Sequence, residues 1–128
     1  MTRVARDAVT GVPRGGSAAD RTFLAFVLDQ LRGLGAVESR AMFGGHGVYS
    51  DGIFFAIVHR GRLYFRVSDA TRGAYEARGA KPFRPGPRQK LKRYYEVPAE
   101  VLEDAPEALR WARAAVAARA EPKARARR

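Results

Sequence analysis

The sequence has no cysteine, which excludes disulfide bonds, thiolate metal ligands and a cysteine nucleophile together. It also lacks an apolar run of about 18 residues, the length that a membrane-spanning helix needs. The N-terminus has no apolar segment of the kind that defines a secretory signal, so we expect a cytoplasmic protein with no membrane partner. The 128 residues suit one domain with a core of its own.

Acidic residues are also scarce, since 13 Asp and Glu stand against 24 Lys and Arg and leave a formal net charge of +11. Residues 79–95 contain no acid, and the segment from Arg110 onward contains one, Glu121. The first segment carries six cations: Lys81, Arg84, Arg88, Lys90, Lys92 and Arg93. Clustered positive charge indicates that the partner is nucleic acid or another polyanion. An Arg-rich chain from a GC-rich genome would show the same total, so the clustering carries more weight than the total.

The chain divides into three parts by its periodicity. Residues 1–16 show no sustained period and contain several Gly and Pro, so we expect a flexible N-terminal arm. Residues 17–119 are predicted to form one domain, and residues 120–128 a basic disordered tail. Ser17 or Asp20 can cap the first helix of the domain. Apolar side chains on one face predict that helix: Leu24, Val27, Leu28 and Leu31.

After this helix the period of the apolar residues changes to two. The segments ESRAMFGGHGVYS, IFFAIVH and RLYFRV are rich in aromatic and β-branched residues and predict three strands. Asp51-Gly52 and Arg60-Gly61 join them, and glycine supplies the positive φ angles of tight hairpin turns. The strands should therefore form an antiparallel meander. Alternation places one set of side chains in the core and the other on the opposite face: Leu63, Phe65 and Val67, against Tyr64 and Arg66.

A second helix and a second group of strands follow the meander. Ser68 or Asp69 caps the helix and Gly79 ends it. KLKRYYEV predicts another strand, and residues 81–84 are a candidate for a short extended segment before the Pro-Gly-Pro turn.

The last part of the domain is predicted to be helical. Pro98 opens a short helical turn, and Asp104 with Glu107 resembles a capping box for the final helix. Trp111 lies at the flank of that helix's apolar stripe, which consists of Leu109, Ala112 and Val116. The fold class is therefore α+β, a mostly antiparallel sheet with helices on one face in the order α-β3-α-β2-α.

The segment MFGGHGVYSDG packs four glycines, a histidine and an aspartate into eleven residues. A phosphate-binding loop would need G-x-G-x-x-G at the start of a helix, or Gly-Lys-Ser or Gly-Lys-Thr, and neither pattern is present. The alternative is that Gly44 and Gly45 allow a bulge or bend in one long strand, or a close backbone approach. We favour this structural interpretation, with Asp51 explained by its turn.

Two histidines, His46 and His59, are the candidates for metal or acid–base chemistry. Neither H-E-x-x-H nor another recognised ligand spacing is present, although neighbouring strands can bring the two rings together. No serine lies in a nucleophile elbow, and Glu103 and Asp104 suit a helix boundary. We therefore predict no enzymatic activity, no catalytic residue, no cofactor and no metal. The alternative is a small enzyme or metal protein built on His46 and His59.

The segment KPFRPGPRQKLKRYY combines the six cations with Phe83, Tyr94 and Tyr95. Cations neutralise phosphates and aromatic rings stack on exposed bases, so this segment is a candidate nucleic-acid site. The alternative is a solvated loop and edge strand whose aromatic side chains face the core. The Arg-rich tail would add a salt-sensitive contact of the same kind.

Several strings, in order, are similar to the TfoX (Sxy) N-terminal domain family. They are RAMFGGHGVYSDGIFFAIVHRGRLYFRV, GAKPF, YYEVP and a Leu-Trp-Ala helix, across about residues 20–117. The positions that carry the resemblance are Arg40, Met42, Phe43, Gly44, Gly45, Asp51, Gly52, Leu63, Tyr64, Pro82, Phe83, Tyr94, Tyr95 and Pro98.

The resemblance implies a secretion-chaperone-like fold with the α-β3-α-β2-α order. It also implies a non-enzymatic regulatory module, because longer members regulate DNA transformation competence together with transcription machinery. Those members carry a further C-terminal domain, whereas this sequence runs about ten residues past its last predicted helix, so we expect a single-domain member. The partner is then a protein, such as transcription machinery, or nucleic acid. The alternative function is direct nucleic-acid binding by residues 81–95 and the tail, and an exposed strand edge makes a homodimer a further option.

Overall fold

The computed structural model describes residues 18–42, 44–86 and 88–120. The predicted N-terminal arm lies outside the described residues, as do the Ser17 cap, Phe43 of the family motif and residues 121–128 of the predicted tail.

The described chain forms an antiparallel sheet of six strands with helices packed against it. The helices are α1 (Ala18–Gln30), α2 (Asp69–Ala77), α3 (Ala99–Leu102) and α4 (Ala105–Ala120), and a 3-10 turn (Arg32–Leu34) follows α1. The strands are β1 (Val37–Met42), β2 (Gly45–Ser50), β3 (Ile53–His59), β4 (Arg62–Arg66), β5 (Pro82–Gly86) and β6 (Gln89–Glu96).

The strands lie side by side in the order β1-β2-β3-β4-β6-β5, and every neighbouring pair is antiparallel. This confirms the predicted α+β class. The predicted strand over KLKRYYEV and the extended segment near residues 81–84 are confirmed as β6 and β5. The two edges of the sheet are β1 and β5.

The segment ESRAMFGGHGVYS forms two strands, so the prediction of one long strand was wrong. Met42 pairs with Gly45, so the chain reverses between these two residues, and Gly44 has a φ of 79°. The polar run at residues 38–40 before the reversal and the glycines at and after it give no clear apolar alternation, so periodicity alone did not reveal it. The meander therefore has four strands instead of three.

The two predicted turns after this reversal are confirmed. Asp51 and Gly52 have φ angles of 50° and 84°, and Arg60 and Gly61 have φ angles of 51° and 75°. Two successive positive φ angles are the signature of the type I′ turn, whose twist matches that of the flanking strands. These turns fix the register of β2, β3 and β4.

Helices cover one face of the sheet and form the main core with it. Leu24 and Val27 of α1 and Leu31 just after it are fully buried, and Leu28 is partly buried against the same core, as the helical spacing predicted. Phe55 and Phe65 meet them from the sheet, with ring centroids 5.8 Å apart. The helices therefore shield this face from water, which is the main stabilisation available to a domain of this size.

The core-facing stripe of α4 differs in part from the predicted one, although Ala112 is fully buried and Val116 packs against the core as predicted. Leu109 and Val116 are only partly buried, whereas Trp111, predicted at the flank, is 8% exposed. The Trp111 ring packs edge-on against Tyr75 at 4.7 Å, and its Nε1 donates to Glu107 at 3.0 Å. The indole gains a large apolar contact while its N–H keeps a partner, so Trp111 is buried beside Ala108, Ala112 and Ala115.

Side chains cap two of the helices. Ser68 caps α2 as predicted: its hydroxyl accepts from the Thr71 amide, and the Thr71 hydroxyl accepts from the Ser68 amide. Asp104 accepts from the Glu107 amide at 3.2 Å at the start of α4. The Glu107 carboxylate instead accepts from Arg110 and from the Trp111 indole, and the hydrogen bond from Arg110 is the main cause that lowers the pKa of Glu107.

The opposite face of the sheet carries a second apolar cluster made of strand residues. We call it the helix-free face: Phe54, Ile57, Tyr64, Phe83, Leu91 and Tyr94. A β-bulge interrupts the alternation of β3, because Tyr49 pairs with Phe54 while Val48 pairs with Ala56, which leaves Phe55 as an extra residue. Phe54 faces the helix-free side and Phe55 faces the helices, as ordinary alternation requires, and the extra residue makes both Phe55 and Ala56 face the helices.

Candidate nucleic-acid interface

The six cations that the sequence grouped together lie on the β5–β6 hairpin and at its start. All six side chains are exposed. We call this set the basic hairpin: Lys81, Arg84, Arg88, Lys90, Lys92 and Arg93. A hairpin at the edge of the sheet projects these charges into solvent together.

The positive charge of the basic hairpin is not neutralised by acidic residues in the described part of the chain. Five other arginines do form ion pairs: Arg32, Arg62, Arg72, Arg78 and Arg110. Glu96 at the end of β6 binds Arg62 of β4, with both of its oxygens within 3.1 Å of the guanidinium. The carboxylate nearest in sequence to the hairpin is therefore already paired with a cation outside it.

The aromatic residues of the same segment face inward, so they are not available to stack on bases. Phe83, Tyr94 and Tyr95 are 0%, 6% and 7% exposed. Phe83 packs against Tyr64 at 4.6 Å on the helix-free face, and the Tyr95 hydroxyl donates to Glu76 at 2.8 Å on the helix side. The hydrogen bond to Glu76 raises the pKa of Tyr95. Of the two chemistries that the sequence suggested for this segment, only phosphate contact by cations fits the structure.

Two arginines that the sequence analysis did not single out as site residues lie over rings on the helix-free side. The guanidinium of Arg40 is 4.6 Å from the centroid of Tyr49, and that of Arg66 is 5.7 Å from the centroid of Tyr94. The Nε atom of Arg66 is buried and has no hydrogen-bond partner among the described residues. Alternation along β4 predicted that Arg66 faces away from the helices. Which aromatic ring each arginine contacts depends on how the strands pair, and the sequence pattern did not show that.

The glycine-rich segment contains close approaches between strands. A Cβ atom on Gly45 would lie 2.3 Å from the carbonyl oxygen of Val58, and one on Gly47 would lie 2.6 Å from the sulfur of Met42. The clash at Gly45 is with backbone, so glycine is required there for β2 and β3 to approach each other, whereas the Met42 side chain can move away from position 47. The close approach that we predicted is real, but the bulge lies at Val48 and Tyr49 against β3.

The two histidines do not face each other. His46 is on the same side of β2 as Val48, which belongs to the helix-covered core, whereas the ring of His59 packs edge-on against Phe83 at 5.2 Å on the helix-free face. Opposite faces of one sheet give the rings no shared metal position. In the described part of the chain, no group of three or more His, Asp and Glu residues is placed to hold a metal ion.

His46 is a fully buried residue without a hydrogen-bond partner for either ring nitrogen among the described residues. Burial lowers its pKa, and the negative charge of Asp20 opposes that effect. Burial likewise lowers the pKa of His59, with a smaller contribution from Arg60. Both rings are therefore held in the neutral form to lower pH than a free histidine.

The TfoX N-terminal domain model matches residues 29–119, which include all six strands and the whole basic hairpin. A search of curated proteins gives no match. Within the described ranges, no helix is long and apolar enough to cross a membrane. Since the matched segment covers well over half of the sequence, the chain belongs to the TfoX N-terminal domain family.

Proposed function

We propose that the protein is a non-enzymatic regulatory module that contacts duplex DNA through its phosphates, in the cytoplasm. The observation that carries the proposal is the basic hairpin, whose six exposed cations lack acidic partners among the described residues. The regulatory half of the proposal rests on the family, whose longer TfoX (Sxy) members act with transcription machinery in DNA transformation competence. The two halves are tested separately below.

The burial of the aromatic residues favours duplex DNA over a single strand. Single strands are usually bound by stacking bases on exposed rings, and the rings of this segment are buried. Lysine and arginine on a hairpin can instead neutralise successive phosphates and release the counterions that these phosphates hold. Phosphate contacts carry no sequence information, so we expect binding with little sequence preference.

The experiment is a fluorescence-anisotropy titration of labelled duplex DNA at several salt concentrations. If all six cations contact phosphates, the logarithm of affinity should fall against the logarithm of salt with a slope of about −5, since each contact adds about −0.9. The double variant Arg84→Gln/Lys90→Gln should reduce the slope by about 2 and weaken binding.

A matched control removes the same charge elsewhere. Arg32→Gln/Arg113→Gln takes two exposed cations from the helical side and leaves the hairpin intact. If both double variants lose affinity equally, net charge alone is responsible and the hairpin is not the site. If the wild-type protein does not bind at low salt, the DNA contact is refuted, and the regulatory role then requires a protein partner.

The regulatory role has its own test in the native cell. Transcripts of the DNA-uptake genes should fall in a strain that lacks the protein, and should also fall in one that carries Arg84→Gln/Lys90→Gln. Unchanged transcripts in the deletion strain would refute the regulatory role while leaving DNA binding in vitro intact. A pull-down with and without nuclease separates a nucleic-acid partner from a protein partner.

A further inference from the structure

The outer side of β1 has no partner strand in the described part of the chain, because β1 pairs only with β2. The opposite edge, β5, contains Pro82 and Pro85, which lack the N–H groups that another strand would need. Strand β1 has the sequence VESRAM, with neither proline nor lysine, and its register with β2 is regular over all six residues. Of the two edges, β1 is the one suited to accept another strand.

The pairing with β2 fixes which backbone groups of β1 point outward. The Asp51 amide donates to the Ala36 carbonyl at 2.8 Å, so Ala36 is at a hydrogen-bonded position. Such positions alternate along an antiparallel strand. Three residues of β1 therefore direct their N–H and C=O groups toward β2: Glu38, Arg40 and Met42. The other three direct theirs away from the sheet: Val37, Ser39 and Ala41.

We propose that β1 pairs antiparallel with β1 of a second copy of the chain, about a twofold axis at Ser39. In this register Ser39 pairs with Ser39 of the second copy, and Val37 pairs with Ala41, so every outward-directed backbone group has a partner. Glu38 then lies opposite Arg40 of the second copy, at a position without backbone hydrogen bonds. Side chains come closest at such positions, so the dimer gains two cross-strand ion pairs.

The charges on β1 select this register over its neighbours. The outward-directed backbone groups all belong to odd-numbered residues. The strand can therefore slide only in steps that keep odd-numbered residues opposite odd-numbered residues. The adjacent symmetric registers place Glu38 opposite Glu38 or Arg40 opposite Arg40, and like charges directly opposite are destabilising. The Arg40 guanidinium also lies 4.6 Å from the Tyr49 ring, which keeps it on the face that it shares with Glu38.

The dimer also covers apolar surface and leaves the basic hairpin free. Ala41 is exposed in the single chain, and pairing places it beside Val37 of the second copy. Because β1 and β5 are opposite edges, the joined sheet of two copies has a basic hairpin at each end. Two hairpins on one particle would raise the avidity for a long polyanion, but the dimer itself does not depend on DNA binding.

The test measures the dimer dissociation constant of the full chain by analytical ultracentrifugation. Glu38→Arg and Arg40→Glu each replace two attractive pairs with two repulsive pairs, so each should raise the dissociation constant at least about tenfold. An equimolar mixture of the two variants should restore the dimer, because every charge at these two positions then faces an opposite charge on the other copy. Arg113→Glu reverses a charge at an exposed position of α4. It is the control and should leave the dissociation constant unchanged.

A second variant tests the backbone pairing. Ser39→Pro removes an N–H that points away from β2, so the chain should keep its fold by circular dichroism and lose the dimer. A wild-type protein that stays monomeric at its highest soluble concentration overturns the proposal. So does a dimer that survives Ser39→Pro, or a mixture of charge variants that stays as weak as its components.

Discussion

Replacing His46 with leucine tests what the buried ring does to the stability of the core. The His46 side chain is fully buried, and neither nitrogen has a hydrogen-bond partner among the described residues. Burial lowers its pKa from the ordinary value of 6.5, against an opposing effect of Asp20. Leucine is similar in size and has no polar atom, so the substitution removes both the unpaired nitrogens and the titration.

The difference in unfolding free energy between His46→Leu and wild type has one part that is constant with pH and one part that changes with pH. An unsatisfied buried polar group costs about 1–3 kcal/mol, and a change of shape at similar volume costs up to about 1.5 kcal/mol, so we expect the variant to gain about 1 kcal/mol at pH 8. The folded pKa lies below the unfolded value, so the unfolded state binds the proton first and wild-type stability is lost as the pH falls below 6.5. At pH 5 this loss reaches at most about 2 kcal/mol, the limit for a folded ring that stays neutral.

The assay is urea unfolding at pH 5, 6, 7 and 8, followed by the fluorescence of Trp111, which is the only tryptophan. The free-energy difference between His46→Leu and wild type should grow from about 1 kcal/mol at pH 8 toward about 3 kcal/mol at pH 5. His59 titrates in both proteins and cancels in the difference. A difference that stays constant with pH, or a variant that is less stable at every pH, would refute the reasoning and show that the ring nitrogens have partners.

Two further substitutions test local features of the fold. Gly45→Ala places a Cβ 2.3 Å from the Val58 carbonyl oxygen, so it should lower the free energy of unfolding by about 1–3 kcal/mol. Gly86→Ala has open space around the new Cβ and should change it far less; equal losses would contradict the close-approach argument. Ser68→Ala removes the cap that accepts from the Thr71 amide and should cost about 1 kcal/mol in the same urea assay, and no loss would mean that the cap adds nothing.

Local chemistry made much of the fold predictable. The hairpin turns at Asp51-Gly52 and Arg60-Gly61 follow from the φ angles that two-residue turns require, and the first helix follows from apolar spacing. The Ser68 cap is also a local signal. Each of these features depends on residues within a few positions of one another.

Features that depend on distant residues were not predictable in the same way. The reversal between Met42 and Gly45 lies among glycines that give no apolar alternation, so a single long strand fitted the sequence equally well. Trp111 is buried because Tyr75 gives its ring a contact and Glu107 gives its N–H a partner, whereas Leu109 is only partly buried. Neither outcome can be read from the periodicity of one element.

In the candidate site too, features set by local residues were predictable and features set by distant residues were not. Charge clustering picked out the basic hairpin, and the side chains of its cations are exposed as a run of charges should be. The sequence could not decide whether Phe83 and Tyr94 stack on bases or pack in the protein, because their burial depends on Tyr64 and Phe54 from other strands. The pairing surface on β1 likewise needs the strand order, since an edge is defined by what lies beside it.

The proposed function is tested most directly by amide chemical-shift mapping during a titration with duplex DNA at low salt. We expect the shifts to concentrate on β5, β6 and the connection between them, and to reverse when salt is added. Weak or absent shifts on α4 in the same spectra would show that the helical side is not involved. Shifts confined to the helices, or no shifts at low salt, would contradict the proposal that the basic hairpin contacts DNA.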